Sequence, residues 1–417
     1  MRIMLLATPS SYRAEAFLAA AARLGIDADL VLDMPSGLTR PAGLCIDFRA
    51  ADALARLSDL AARQMPMAVL AVDDSGSLLA AALSESLGLA HNAPQAALAA
   101  RNKFVMRELL QQGSVPIPVY QLLSFEDDLQ SLAAGLPYPC VIKPLELNGS
   151  RGVMRADDPR SFLLAVERLR ALIHSIYADQ HNATDYDPAR FFLVEEYIPG
   201  IEVAIEAILD TNGLHVLALF DKPDPLEGPF FEETIYVTPS RLPEATQQAI
   251  GTCTAQAARA LGLRCGPIHA ELRVNEDGPW LIEVAGRSIG GNCSRTLRFG
   301  SDASLEELIL RQACGLPIDT LSRDGSAGGV MMIPIPGEGI LRKVQGVEAA
   351  TDVAGIEAVE ITAPLHNPII GLPEGDSYLG FIFARAERPE AVEAALRTAH
   401  TCLKFTIVPH LHLETGI

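Results

Sequence analysis

The sequence predicts an α/β chain that opens on a doubly wound parallel sheet and continues into α+β structure, and three stretches carry that prediction. The first ninety or so residues alternate short apolar runs with Ala/Leu-rich helical segments. Residues 137–158 put a lysine at the end of an apolar strand, directly before a glycine-rich loop. Residues 268–292, IHAELRVNEDGPWLIEVAGRSIGGN, read as a strand, a tight turn and a returning strand with one glutamate on each arm.

Composition bounds the possibilities. At 417 residues the chain is long enough for two to four domains, and 49% hydrophobic with 20% charged residues gives it a sizeable core. A net charge of −19 argues against nucleic acid or an anionic membrane as the main ligand. The seven cysteines are scattered singly without a CxxC pair, so neither a disulfide frame nor a zinc site is expected. The N-terminal apolar run is too short for a signal peptide and no stretch approaches a membrane span, so a cytoplasmic protein is expected.

In the first domain, residues 1–95, Arg2 to Thr8 fits a buried parallel strand. Ser10 or Ser11 is placed to cap a helix from Tyr12 to Leu24 that ends at Gly25. Further strands are expected at Ala28–Leu32, Gly43–Asp47 and Met67–Val72, with helices at Ala50–Arg63 and Ser77–Leu87. No GxGxxG follows the first strand, which argues against a dinucleotide site. The Asp73-Asp74 pair lies at a strand's carboxyl end and reads as a solvated helix start rather than a catalytic pair.

From Pro94 the character changes. Gln95 to Gln112 is expected as one helix carrying Arg101, Asn102 and Lys103, and the following VPIP must be extended. Cys140–Lys143 is a buried strand. The loop from Glu146 to Gly152, with Asn148, Gly149, Ser150 and Gly152, lets backbone N–H groups approach phosphate oxygens. It lacks the GKS/T ending of a Walker loop; the alternative is a flexible hairpin with a surface lysine. Strand Phe191–Glu195 runs into a Tyr197–Gly200 hinge, and a second strand resumes with Glu202, Ala204 and Glu206. Backbone freed at such a hinge can meet an adenine edge, and Glu202 can accept ribose hydroxyls. Asp179 to Arg190 reads as a solvated insertion or mobile flap.

The hairpin is expected as strands His269–Val274 and Pro279–Ala285 around an Asn275–Gly278 turn. Two carboxylates presented by paired strands, Glu271 and Glu283, followed by Arg287 and the Gly290-Gly291 turn, suit magnesium carrying phosphate oxygens. A surface hairpin with solvated acids is the alternative. His269 shares the face of Glu271, either near a metal or as a hydrogen-bonded structural histidine. Helices are expected at Pro243–Leu261 and Ser304–Cys314. After a polar linker at Leu321–Ala327, strands Gly329–Pro334, Ala358–Thr362 and Gly380–Ala386 and a helix Pro389–His400 suggest a small α+β domain, with His366 and Asn367 in a surface turn.

Taken in order, Lys103, VIKP with its glycine loop, VEEYIPGIE and the Glu…Glu hairpin resemble the ATP-grasp fold, here with an N-terminal doubly wound domain and a small β-rich C-terminal domain. The segment from Leu219 to Pro243 followed by LIEVAGRSIGG resembles the L-amino-acid ligase branch, over about Arg101 to Pro317. The resemblance implies domains at 1–95, 96–320 (lobes about 96–195 and 196–320) and 321–417. It implies that Lys103 and Lys143 hold the α- and β-phosphates under the loop Asn148, Gly149, Ser150 and Gly152. Glu195, with the backbone of Glu196 and Ile198, would meet the adenine and Glu202 the ribose. Lys222 would lie near the γ-phosphate, Glu271 and Glu283 would hold magnesium (or manganese), and Glu233, Tyr236, Arg287 and Ser288 would face the amino acid. Two departures stand out: Ala285 stands where most ATP-grasp enzymes have Asn, although the amino-acid ligase branch often has Ala there, and Tyr236 stands where that branch commonly has His, which bears on substrate identity.

The expected chemistry is formation of an amide, dipeptide or related, from a carboxylate and an amine through an acyl phosphate, with ADP and phosphate released. Arg287 and the Gly290-Gly291 donors would steady the developing charge. Alternatives are an ATP-grasp carboxylase or nucleotide-biosynthesis ligase, resembling biotin carboxylase or glycinamide synthetases, and a catalytically silent ATP-binding protein. Small-molecule substrates and a possible homodimer are expected, with no nucleic-acid or membrane partner.

Overall fold

The computed structural model describes residues 1–34, 44–177, 186–300 and 302–409. The first unit is a four-stranded, fully parallel sheet in the order Leu44–Ile46, Asp27–Asp33, Arg2–Ala7, Ala68–Ala71, with helices Ala14–Leu24, Ala53–Gln64 and Ser77–Ser86. The Arg2–Ala7 strand is buried on both faces, as its unbroken apolar run requires. The first helix starts later than its serines suggest: Arg13 is the N-cap and no side chain caps it. Gly43 of the expected third strand, and residues 179–185 of the expected flap, lie outside the described residues.

The body is an eight-stranded antiparallel sheet. Its order is Gly278–Ala285, Gly266–Asn275, Ile201–Asp210, Gly213–Asp221, Ile235–Thr238, Ala327–Ile333, Gly380–Ala386, Ile356–Ile361. Thr238 pairs with Gly328 and Ile235 with Met331, so the sheet runs on across the boundary expected near residue 321. Alternation divides its faces. Ile268, Ala270 and Leu272 pack with Leu281 and Val284 against Ile250, Cys253 and Ala257 of helix Glu244–Ala260. His269, Glu271 and Arg273 therefore point the other way.

A smaller four-stranded sheet covers that second face: Tyr120–Ser124, Phe191–Glu196, Cys140–Pro144 and Met154–Ala156, all antiparallel. Helix Pro159–Tyr177 buries Phe162, Val166, Leu169 and Ile173 against its outer side, with Cys140, Ile142 and Phe192. A third, three-stranded sheet of Pro368–Ile369, Gly339–Gln345 and Lys404–Val408 lies in the C-terminal part, with helix Pro389–Cys402 packed on the body.

The single helix expected from Gln95 to Gln112 is two, Pro94–Arg101 and Lys103–Gln112. Asn102 is extended (φ −91°, ψ 112°), and its Oδ1 accepts the N–H groups of Phe104 and Val105. A side chain that competes for backbone donors has interrupted a run of helix formers.

Candidate active site

Three neighbouring strands build the floor of a cavity of about 730 Å³. In the register Glu206 lies opposite His269, Ala204 opposite Glu271 and Glu202 opposite Arg273, while Glu283 lies across from Glu271 on the other side. Period-2 alternation thus sends a block of charge to one face while the other face stays apolar.

Within that block, Lys222 is the hub. Its ammonium lies 2.8 Å from Glu202, 2.5 Å from Glu233 and 3.3 Å from Glu271, and 4.9 Å from the Tyr236 ring centre. Burial alone would lower the lysine, but the three carboxylates hold it well above its ordinary value. Burial and the neighbouring Glu271 push Glu233 up to about 7 against the pull of Lys222. One oxygen from each of Glu202, Glu233 and Glu271 lies within 4.8 Å of the others, and the cation these three share is the Lys222 ammonium. The expected pair Glu271 and Glu283 is therefore divided: Glu271 joins this cluster, whereas Glu283 pairs with Lys103 at 3.1 Å. Arg273 adds to the block, taking Glu202 at 3.0 Å and donating to Ile198 O at 2.9 Å. Tyr197 of the hinge lies between its guanidinium (5.0 Å) and that of Arg155 (4.3 Å).

The roof comes from the smaller sheet. Lys143 and Arg107 both seize the buried Glu195, at 2.6 and 2.7 Å. Burial would raise that carboxyl, but the two cations outweigh it and hold it down at about 2. Lys103 Nζ donates to Leu147 O at 2.9 Å, so the same ammonium tethers the glycine loop and the hairpin. In the loop Gly152 has φ +73°, and a Cβ there would stand 2.9 Å from Leu169 Cδ1, so any other residue is strained. Its N–H donates to Pro373 O at 2.8 Å, joining the loop to the C-terminal part.

The third wall is the N-terminal unit. Asp74 is no solvated helix start: its Oδ2 accepts Arg287 Nε at 2.6 Å and Asn148 Nδ2 at 2.9 Å, while Asp73 accepts Thr8. Burial would raise Asp74, but Arg287 prevails and lowers it. The Gly291 N–H, expected as a free donor, is taken by Tyr12 Oη at 2.6 Å. Gly291 has φ +58°, where other residues are strained, and a Cβ there would stand 2.5 Å from Met332 Sδ. Beside this turn Tyr12, Met332, Tyr378 and Phe381 form an apolar wall, with the Tyr12 and Phe381 rings 5.9 Å apart.

Of the residues expected at the site, Lys103, Lys143, Asn148, Gly149, Ser150, Glu195, Glu196, Ile198, Glu202, Glu233, Tyr236, Glu271, Glu283, Arg287, Gly290 and Gly291 line one cavity. Lys222, Gly152 and Ser288 stand behind its surface. Ser288 in particular is buried and accepts Arg13 Nη2, so it does not face a substrate. His269 sits between Glu206 (3.6 Å) and Glu271 (3.4 Å). His366, with φ +65°, is an exposed turn residue. Sequence reading missed Arg107, Arg273, Tyr12 and Arg13. Arg107 stands four residues after Lys103 on one helix, and Arg273 two after Glu271 on one strand, so spacing could have found both. No such periodicity marks Tyr12 and Arg13.

Comparison with known proteins accords with this geometry. Residues 136–296 match the ATP-grasp domain, and residues 331–408 match the L-amino acid ligase C-terminal domain 2. The chain is 28% identical over 229 residues to dapdiamide A synthase of Enterobacter agglomerans, covering 54% of this chain and 51% of that protein. It is 27% identical over 245 residues to alanine–anticapsin ligase of Bacillus subtilis, covering 55% and 50%. Those alignments span about half the length of each relative. The crystal structure of an L-amino acid ligase from Bacillus licheniformis superposes with a TM-score of 0.83 at 25% identity, over 98% of this chain and 99% of that one. Among the described residues no helix is long and apolar enough to cross a membrane. With its match to the ATP-grasp domain, its match to the L-amino acid ligase C-terminal domain 2 and this superposition, the chain has an ATP-grasp fold and resembles the L-amino-acid ligases.

Proposed function

We propose that the protein joins a carboxylate to an amine, both from small amino-acid-like molecules, at the expense of ATP, and that the carboxylate is activated as an acyl phosphate. The observation that carries this reading is the meeting of Lys103, Lys143, the glycine loop, the acid cluster and Arg287 around one cavity. Lys103 and Lys143 would hold phosphate oxygens of ATP under the loop Asn148–Gly152, with the adenine against Glu195, Glu196 and Ile198. Glu202 keeps lone pairs for ribose hydroxyls beyond those given to Lys222 and Arg273. Magnesium, for which the carboxylates of Glu271 and Glu283, opposite each other on the hairpin and both lining the cavity, are fitting hard ligands, would neutralise phosphate charge when bound.

A substrate carboxylate oxygen would bond to the γ-phosphorus as the bond to ADP breaks. The amine nitrogen would then bond to the acyl carbon, phosphate would leave, and the ammonium proton would pass to solvent or to a nearby carboxylate. Arg287 faces these oxygens with a planar fork, which serves first the carboxylate and then the tetrahedral oxyanion. Glu233 offers an acceptor for a substrate ammonium, and the wall of Tyr12, Met332, Tyr378 and Phe381 shields the acyl phosphate from water. The test is a screen of paired amino acids with ATP and magnesium, reading ADP by coupled assay and product by mass. Equimolar ADP and amide, abolished without magnesium, is expected; ADP release indifferent to every amino acid would remove the reading.

A further inference from the structure

Among the described residues, Arg13 is a buried cation without an ion-pair partner. It is 9% exposed and lines the cavity, yet its one hydrogen bond to a described residue runs from Nη2 to the Ser288 hydroxyl, and it forms no ion pair among the described residues. The acids whose charge reaches it, Glu206 and Glu306, form no ion pair with it, and Glu206 accepts the Ile289 N–H at 2.9 Å beside His269. Arg287, whose charge also reaches Arg13, is committed to Asp74. A buried guanidinium without an ion-pair partner is costly, so Arg13, at the cavity wall near Arg287, is placed to take an incoming negative group.

Resting on the ligase reading, the chemistry specifies that group. The reacting carboxylate meets phosphate, Arg287 and the acid cluster. An amino acid that supplies the amine keeps a second, unreacted carboxylate, which must also be buried in the closed cavity. We propose that Arg13 binds this spectator carboxylate, so that the protein selects an α-amino acid over a plain amine as its nucleophile. The Ser288 hydroxyl takes Nη2, no hydrogen bond to a described residue takes Nε or Nη1, and the Tyr12 ring next in the chain borders the same space. Arg13 is thus a binding residue contributed by the N-terminal unit to a site whose nucleotide half lies in the other two.

The test compares acids with their α-carboxamides, which can act only as amines: L-alanine with L-alaninamide and L-leucine with L-leucinamide, at a saturating donor found in the product screen. Each acceptor is compared between Arg13→Met and the native protein, so differences in intrinsic amine basicity cancel. The expected result is a fall of about 100-fold in kcat/KM for the acids, mainly through KM, with the amides within about threefold and the KM for ATP unchanged. Arg13→Lys, which keeps the charge but loses the fork, should fall between and serves if the methionine variant folds poorly. Equal losses for acid and amide would make Arg13 merely structural and overturn the assignment, as would no loss for either. Amide products made by the native protein would keep the ligase reading standing in both cases.

Discussion

Arg287 is held by the Asp74 carboxylate at 2.6 Å, and the oxygen that holds it also accepts Asn148 of the glycine loop. One atom therefore sets both the direction of the guanidinium and the position of the loop. Asp74→Asn keeps the shape and removes the charge, and a loss of about 10–100-fold in kcat/KM is expected, with thermal unfolding shifted by only a few degrees. Unchanged kinetics would show that Arg287 needs no such support. Glu195 poses the opposite case, a residue whose loss is felt first in stability. Glu195→Ala strands Arg107 and Lys143 as buried cations and should cost about 3–5 kcal/mol in denaturant unfolding. Its pH dependence follows from a folded value near 2 against an ordinary 4.5. The stabilisation is full above pH 4.5 and is lost as pH falls toward 2, so the native advantage over Glu195→Gln should shrink by ~3 kcal/mol across that interval. An advantage constant with pH would contradict the pairing.

At the scale of elements, the glycine loop joins three parts: Lys103 through Leu147 O, Asp74 through Asn148, and the C-terminal part through the Gly152 N–H. Exposed ion pairs such as Arg168 with Glu374 add little to this clasp. The backbone conformation at residue 152 matters more. Gly152→Ala must leave φ +73° or push into Leu169, so a destabilisation of about 1–3 kcal/mol and a higher KM for ATP are expected from urea unfolding and steady-state kinetics. An unaffected variant would mean that the loop adapts freely. Element type was well marked where a single period ran unbroken, as in Arg2–Ala7 and the Glu271–Glu283 hairpin. Helix Pro159–Tyr177 went unassigned although Phe162, Val166, Leu169 and Ile173 show helical spacing. The break at Asn102 was obscured because its flanks both favour helix, and only the fold decides whether its side chain caps.

Across the whole molecule, the cavity is a meeting of distant segments. Asp74 and Arg287 are 213 residues apart, and Lys103 and Glu283 are 180 apart. Motifs near each other in sequence, such as Lys143 with its glycine loop, were legible because one strand and turn present them together. Asp74, Tyr12 and Arg13 were not, since their role depends on how the parallel sheet docks against the body, which no local pattern records. The same limit explains the boundary near residue 321: the polar linker was visible, but not the pairing of Ala327–Ile333 with Ile235–Thr238 that carries one sheet through it. What unites these walls is the claim that they bring a carboxylate to the γ-phosphate of ATP. The direct measurement is isotope transfer from an amino-acid donor labelled with oxygen-18 in both carboxylate positions. One labelled oxygen should appear in inorganic phosphate for each amide formed, with ADP as the nucleotide product; unlabelled phosphate, or AMP with pyrophosphate, would contradict the account.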